Sequence, residues 1–149
     1  MMKMMKIPKP ILLYLLALEM LPILDEMNAT NSIKKAVRTI EGFAQHSFNE
    51  IEKHKELALV VNDEMVQQLS RLLDELKFNK SVLLYCLTSY IQVEVKKLNP
   101  NRSFEKAIYT ILDFAFDKLI VLEPQENLHY SIHKFNGLID NIEIQELKK

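Results

Sequence analysis

The sequence predicts an all-α protein, built as a single-domain bundle of about six helices. Apolar residues recur every three or four positions over most of the chain, which is the period of helices packed against a core. Glycine and proline are scarce, at 2 and 5 of 149 residues, so few strand-to-strand turns are available. With 48% hydrophobic residues, a chain of this length can bury a full core, and we expect one domain over residues 1–149.

The first predicted helix begins at Pro10, because proline lacks an N–H that the first helical turn would leave unpaired. From Ile11 to Leu21 it is apolar nearly all round, so we expect neighbouring elements to wrap it. Pro22 should kink or end it. The lysines before this run are typical of a secretory signal, but Glu19 and Pro22 interrupt the run, which is also too short to cross a bilayer. We expect a buried helix, no membrane span and a cytoplasmic protein, with a targeting role for residues 1–24 left open.

The second and third predicted helices follow clear turn signals. Asn31 or Ser32 can cap the second helix after NATNS, and Asn62 or Asp63 can begin the third, which ends at LKFNKS. The apolar residues that share one side of the second helix are Ile33, Val37, Ile40, Ala44, Phe48 and Ile51. Those of the third helix are Val66, Leu69, Leu72, Leu73 and Leu76.

The fourth predicted helix, VLLYCLTSYI, is the candidate central helix, with Ser81 as its cap. Its tail, IQVEVK at 91–96, alternates apolar and polar residues with a period of two, which permits a short strand there. Cys86 is the only cysteine, so no internal disulfide can form and a reducing compartment is expected. Within an apolar run it should behave as a small buried hydrophobic residue.

The last two predicted helices follow the turn NPNRS, in which Ser103 can act as a cap. Pro124 should stop the fifth helix, and Gly137 weakens the sixth. Asp113 and Asp117 share a side of the fifth helix and should form a charged flank beside buried Leu112 and Phe116. The inward residues are Phe104, Ala107, Ile108, Ile111, Leu112, Ala115, Leu119 and Leu122 in the fifth helix, and Leu128, Ile132, Phe135, Ile139 and Ile142 in the sixth.

Several function classes lack their sequence signatures. With only two glycines, neither a phosphate-binding GxxxxGK nor a dinucleotide-binding GxGxxG can be written, and the nucleophile elbow GxSxG is absent. The net charge of −1 provides no whole-surface attraction to nucleic acid. We therefore predict no enzymatic activity and no cofactor, and we consider nucleic acid an unlikely partner.

Four histidines raise the question of a metal site. His46, Glu50 and His54 stand four residues apart on the second helix, and His129 and His133 are four apart on the last. Together they define an alternative in which an interhelical site gives a metal-binding helical bundle. However, the first three spread around their helix, and His46 and His54 lie roughly 12 Å apart along its axis, too far to share one zinc ion. We favour no metal site.

A second alternative comes from residues 57–91, which resemble a ribbon-helix-helix unit. LALVV would be the ribbon, EMVQQLSRLLDEL the first helix, and NKS the turn into the second helix. The resemblance implies a small DNA-binding regulator. It places Ala58 and Val60 at the positions where that family carries the polar side chains that read bases, and the link lacks the usual glycine.

The leading prediction is a non-enzymatic protein-binding module, such as an inhibitor, an adaptor or an immunity-type factor. It rests on an apolar excess, since two helices of the bundle, the first and the fourth, have almost no polar side. We predict that Leu12, Leu15 and Leu16 contact a partner, which would be another protein or a second copy in a homodimer.

Overall fold

The computed structural model describes residues 9–53, 56–97, 101–120 and 125–142. In these ranges the chain forms six longer helices and one short helix, and no strand, so the all-α prediction is confirmed. The helices are α1 (Lys9–Glu26), α2 (Asn31–Ile51), α3 (Leu57–Val60), α4 (Asp63–Asp74), α5 (Lys80–Lys96), α6 (Arg102–Ile120) and α7 (Gln125–Asp140).

Four helices form a closed ring around the core. α1 packs on α2, α2 on α6, α6 on α5, and α5 on α1. α4 covers part of α1, and α7 packs on the far side of α5. Among the described helices, α6 packs extensively only on α2 and α5, so its remaining side faces solvent.

α1 is apolar nearly all round because other helices surround it. Ten of its residues are buried, on all sides of the helix, because α2, α5 and α4 surround it. Burial of each large aliphatic side chain stabilises the fold by about 1.5–3 kcal/mol. Two polar contacts orient the helix: Ser70 of α4 donates to Glu19 Oε2 at 2.6 Å, and the Thr88 hydroxyl of α5 lies 3.5 Å from Met20 Sδ.

α1 continues past Pro22 and ends at Glu26. Proline removes one helical hydrogen bond, but Ile23 and Leu24 beyond it are buried and keep the helix in place. The stop comes at Asn28, whose backbone adopts the left-handed conformation (φ 56°). The Ala29 N–H then reaches back to the Leu24 carbonyl at 3.0 Å, a typical helix C-cap arrangement.

Asparagine side chains cap α4, α5 and α6. The N-cap of α2 is Thr30, which makes no side-chain cap hydrogen bond, so the prediction of Asn31 or Ser32 is wrong because both lie inside the helix. Asn62 accepts from the Met65 N–H at 2.9 Å, as predicted for the helix that is now α4. Asn79 accepts from the Ser81 N–H at 2.8 Å, and Asn101 from the Phe104 N–H at 3.1 Å. The predictions that Ser81 and Ser103 are the caps are therefore wrong, because α5 and α6 begin before those serines.

Two predicted strands are helical in the structure. The residues at 91–96 continue α5, where Ile91 and Val95 are buried four residues apart while Val93 is 53% exposed. A strand would have placed all three on one side, so the helical period overrides the alternation. The ribbon predicted at 57–61 is also wrong, since Leu57–Val60 form the single turn of α3, held by Gln45 Oε1, which accepts from the Leu57 N–H.

Candidate interaction surface

The solvent-facing side of the α5–α6 pair carries several apolar side chains, and we call this surface the outer face. Its apolar members are Tyr85 of α5 with Tyr109 and Phe116 of α6. Tyr109 is 44% exposed and Phe116 37%, and seven residues, or two helical turns, separate them on one side of α6. Tyr85 joins them from α5, because its ring centroid lies 6.1 Å from that of Phe116.

The features at the two ends of the outer face suit a protein surface better than a small molecule. At one end, the Tyr85 and Phe116 rings are tilted by 44° and close the seam between the helices. At the other end there is only a small depression, whose polar and aromatic lining is Gln92, Lys96, Glu105 and Tyr109. Aromatic side chains that are rigid and partly exposed are the residues that most often anchor protein interfaces.

The exposed charged side chains that α6 contributes to the outer face are Arg102, Glu105, Lys106, Asp113 and Asp117. Four of them, Arg102, Lys106, Asp113 and Asp117, follow one another at spacings of four, seven and four residues, which places them on the same side of the helix as Tyr109 and Phe116. Among these four the order is basic in the first half of the helix and acidic in the second, and Glu105 adds one acidic side chain to the first half. Within the described residues, none of the four has an ion-pair partner.

The leucines predicted to contact a partner lie in the core instead. Leu12, Leu15 and Leu16 are each at most 1% exposed, and the folded chain leaves them no surface to offer. The sequence prediction underestimated how fully α2, α4 and α5 enclose α1. This placement corrects the expectation, and the outer face is the apolar surface that remains.

The three histidines that the structure describes do not come together. His46 Nε2 lies 3.2 Å from Glu50 Oε1, an exposed pair on α2, with both side chains at least 70% exposed. His129 and His133 are exposed on α7, and His54 lies outside the described residues. Among the described residues, no three His, Cys, Asp or Glu side chains gather as ligands for an ion.

A polar cluster ties the start of α1 to α5. Lys9 Nζ lies 2.8 Å from Glu94 Oε1 and 3.3 Å from the Tyr90 hydroxyl, and Lys97 Nζ lies 3.3 Å from Glu94 Oε2. Burial lowers the pKa of Lys9, but Glu94 and Tyr90 outweigh burial and the pKa is raised overall. Burial raises the pKa of Glu94, yet the two lysines reverse the effect and lower it. These contacts therefore hold the start of α1 against α5.

In contrast to Glu94, the carboxyl groups of Glu19 and Glu41 have raised pKa values. Burial raises the pKa of Glu19, partly offset by its hydrogen bond from Ser70. Burial also raises the pKa of Glu41, partly offset by the positive charge of Arg38. Glu41 Oε2 is buried and has no hydrogen-bond partner in the described part of the chain. Burial and the charge of Glu41 raise the pKa of Tyr14 on the facing helix.

Cys86 is buried in α5, as the sequence predicts, and its burial raises the pKa of the thiol to about 12. A thiol with such a pKa holds almost no thiolate near neutral pH, so it lacks the reactive form of a nucleophilic cysteine. Its role in the described fold is to fill space in the core.

Sequence reasoning missed the outer face because Phe116 was expected to be buried. The helical wheel contained the signal: Tyr109 and Phe116 fall on the same side of the helix as Asp113, away from the buried residues Ile111 and Ala115. Two aromatic residues beside a predicted charged flank indicate exposure rather than core packing.

Comparisons of the chain with protein-family models, with curated proteins and with solved structures find no match. Among the described helices, none combines the length and the apolar character that crossing a membrane requires.

Proposed function

We propose that the chain works without catalysis, as a protein-binding module whose docking surface is the outer face. The observation that supports it is the pairing of exposed Tyr109 and Phe116 on one side of α6, with Tyr85 beside Phe116. Interface anchors are enriched in such aromatic side chains, because each provides a large apolar contact while losing little rotamer freedom.

Other exposed apolar residues are scattered rather than grouped. Leu59 on α3 is 82% exposed and Tyr130 on α7 is 67% exposed, and each is on a different helix from the outer face. Single exposed apolar residues are common on protein surfaces and need no partner to explain them. The grouping on α5 and α6 therefore supports the outer face as the docking surface, in preference to Leu59 or Tyr130.

We place this function in the cytoplasm, in the manner of an inhibitor, adaptor or immunity-type factor. The chain has a single cysteine and it is buried, so disulfides of an oxidising compartment would not stabilise the fold. The core between the four ring helices supplies the stability instead.

A capture experiment with matched aromatic variants tests the proposal. The tagged chain is incubated with a lysate of its source, with and without nuclease, beside a Tyr109→Ala/Phe116→Ala variant and a Tyr130→Ala control. Anchor aromatics contribute on the order of 1–3 kcal/mol each, so the double variant should retain roughly tenfold less of the captured protein or more. The control should capture as much as the unmodified chain.

Two results would contradict the proposal. One is capture of a protein at equal yield by the unmodified chain and by the double variant, since the outer face would then play no part. The other is recovery only of species that disappear with nuclease, which would favour the DNA-binding alternative.

A further inference from the structure

The charge order along the outer face carries a further inference, which rests on the proposed function and names the partner. Arg102 and Lys106 lie seven and three residues before Tyr109. Asp117 and Asp113 lie seven and three residues after Thr110. The basic and acidic positions are therefore mirror-placed about one point of α6, between Tyr109 and Thr110.

This arrangement of charges is self-complementary, which means that it can pair with the same arrangement on a second copy. If a second α6 lies antiparallel to the first, with a two-fold axis between Tyr109 and Thr110, Arg102 faces Asp117 of the other copy. The same axis places Lys106 opposite the other copy's Asp113, and each contact occurs twice, as in any two-fold interface. The two Tyr109 rings meet near the axis.

Within one chain this charge order is unfavourable. Arg102 and Lys106 are like charges at i and i+4, and so are Asp113 and Asp117, and such pairs destabilise a helix by about 0.2–0.5 kcal/mol each. A second, antiparallel α6 offsets both of these terms, since it brings the opposite charge to every one of the four positions.

We propose that the outer face binds a second copy of the chain, forming a two-fold dimer through antiparallel α6 helices. The two Tyr109 side chains provide the apolar centre of this interface, with Phe116 at its edges, and the two sets of ion pairs fix its register and orientation. The surface is free to do so, because among the described helices only α2 and α5 pack extensively on α6.

Charge reversal in two halves tests the dimer. The variant R102E/K106E makes all four mirror-placed positions acidic, and the variant D113K/D117K makes all four basic. All four side chains are exposed, so both variants should fold, as circular dichroism checks. In sedimentation velocity over a roughly thousandfold concentration range, each variant alone should associate at least tenfold more weakly than the unmodified chain. An equimolar mixture of the two should recover a heterodimer.

A matched control separates this effect from net charge. The variant K35E/K134E changes two exposed lysines on α2 and α7, alters the net charge by the same amount as R102E/K106E, and should dimerise like the unmodified chain. Raising the salt concentration should weaken the wild-type dimer, because exposed ion pairs are screened.

The dimer is overturned if the unmodified chain is a monomer at every concentration, if either double variant dimerises normally, or if the mixture stays monomeric. These outcomes leave the proposed function to its own test, because capture of a different protein through Tyr109 and Phe116 does not depend on self-association.

Discussion

Burial separates leucines that look alike in the sequence. Leu12 and Leu16 are fully buried, whereas Leu59 is 82% exposed, although all three lie in apolar runs. The difference arises because α1 is enclosed by three helices, while α3 is a single turn at the edge of the bundle. Sequence alone marks these residues as apolar, and only their packing decides whether they serve the core or a surface.

Replacing Leu12 or Leu16 with glutamate should abolish the fold. A carboxylate without a partner in the core costs several kcal/mol, a large share of the 5–15 kcal/mol that stabilises a typical domain. The measurement is far-UV circular dichroism with thermal unfolding. The same change at Leu59 is the matched control and should shift the melting temperature little. A folded Leu12→Glu monomer would instead indicate that α1 contacts a partner.

Glu41 offers a prediction about pH. Its pKa is raised in the folded chain, mainly by burial, so folding favours the protonated carboxyl. The stability of the chain therefore contains a contribution that grows as pH falls through the folded pKa of Glu41 and is lost above it. Glu41→Gln should raise the free energy of unfolding at neutral pH by about 0.5 kcal/mol, a modest value because the carboxylate is partly exposed.

The pH dependence of the gain in the free energy of unfolding tests whether the charge of Glu41 is its source. Other groups also titrate, and Glu94, whose pKa is lowered, acts in the opposite direction. The difference between the Glu41→Gln variant and the unmodified chain should therefore be measured by urea unfolding at several pH values. It should shrink as the pH falls. A difference that is constant with pH would show that the charge of Glu41 is not its source.

At the scale of elements, helical periodicity predicted the helices well and their ends less well. The inward stripe of α2 was predicted correctly at Val37, Ile40, Ala44 and Phe48, which are all buried. The caps of α5 and α6 were misassigned by two residues, because asparagine and serine cap helices about equally well and the sequence offers both. The α3 turn was missed because four residues are too few to show a period.

Gly42 is a weak point in the middle of α2. A Cβ built there would meet no atom within 4 Å, so alanine fits without strain. Gly42→Ala should raise the free energy of unfolding by about 0.5–1 kcal/mol, since alanine loses less backbone entropy in a helix. Gly137→Ala in α7 has the same open surroundings and should behave alike. Chemical denaturation with an unchanged slope would confirm the gain, and a loss of stability would contradict the described packing.

At the scale of the whole molecule, the sequence predicted the architecture but not the outer face. Composition and period lead directly to an all-α bundle, whereas the ring of α1, α2, α6 and α5 depends on contacts between distant residues such as Phe43 and Phe104. The outer face exists because α4 and α7 cover other sides of that ring. The extent of one domain over 1–149 remains a prediction.

Disulfide trapping at the centre of α6 tests the outer face as a docking surface most directly. Lys106→Cys and Asp113→Cys, mixed in equal amounts, would place one thiol opposite the other across the interface and leave Tyr109 in place, while native Cys86, with a pKa of about 12 and 1% exposure, cannot compete. Under mild oxidation this mixture should form a covalent dimer on a non-reducing gel much faster than Lys35→Cys, an exposed position on α2. Equal rates for the mixture and for Lys35→Cys, or no covalent dimer from the mixture, would contradict docking of a second copy on the outer face.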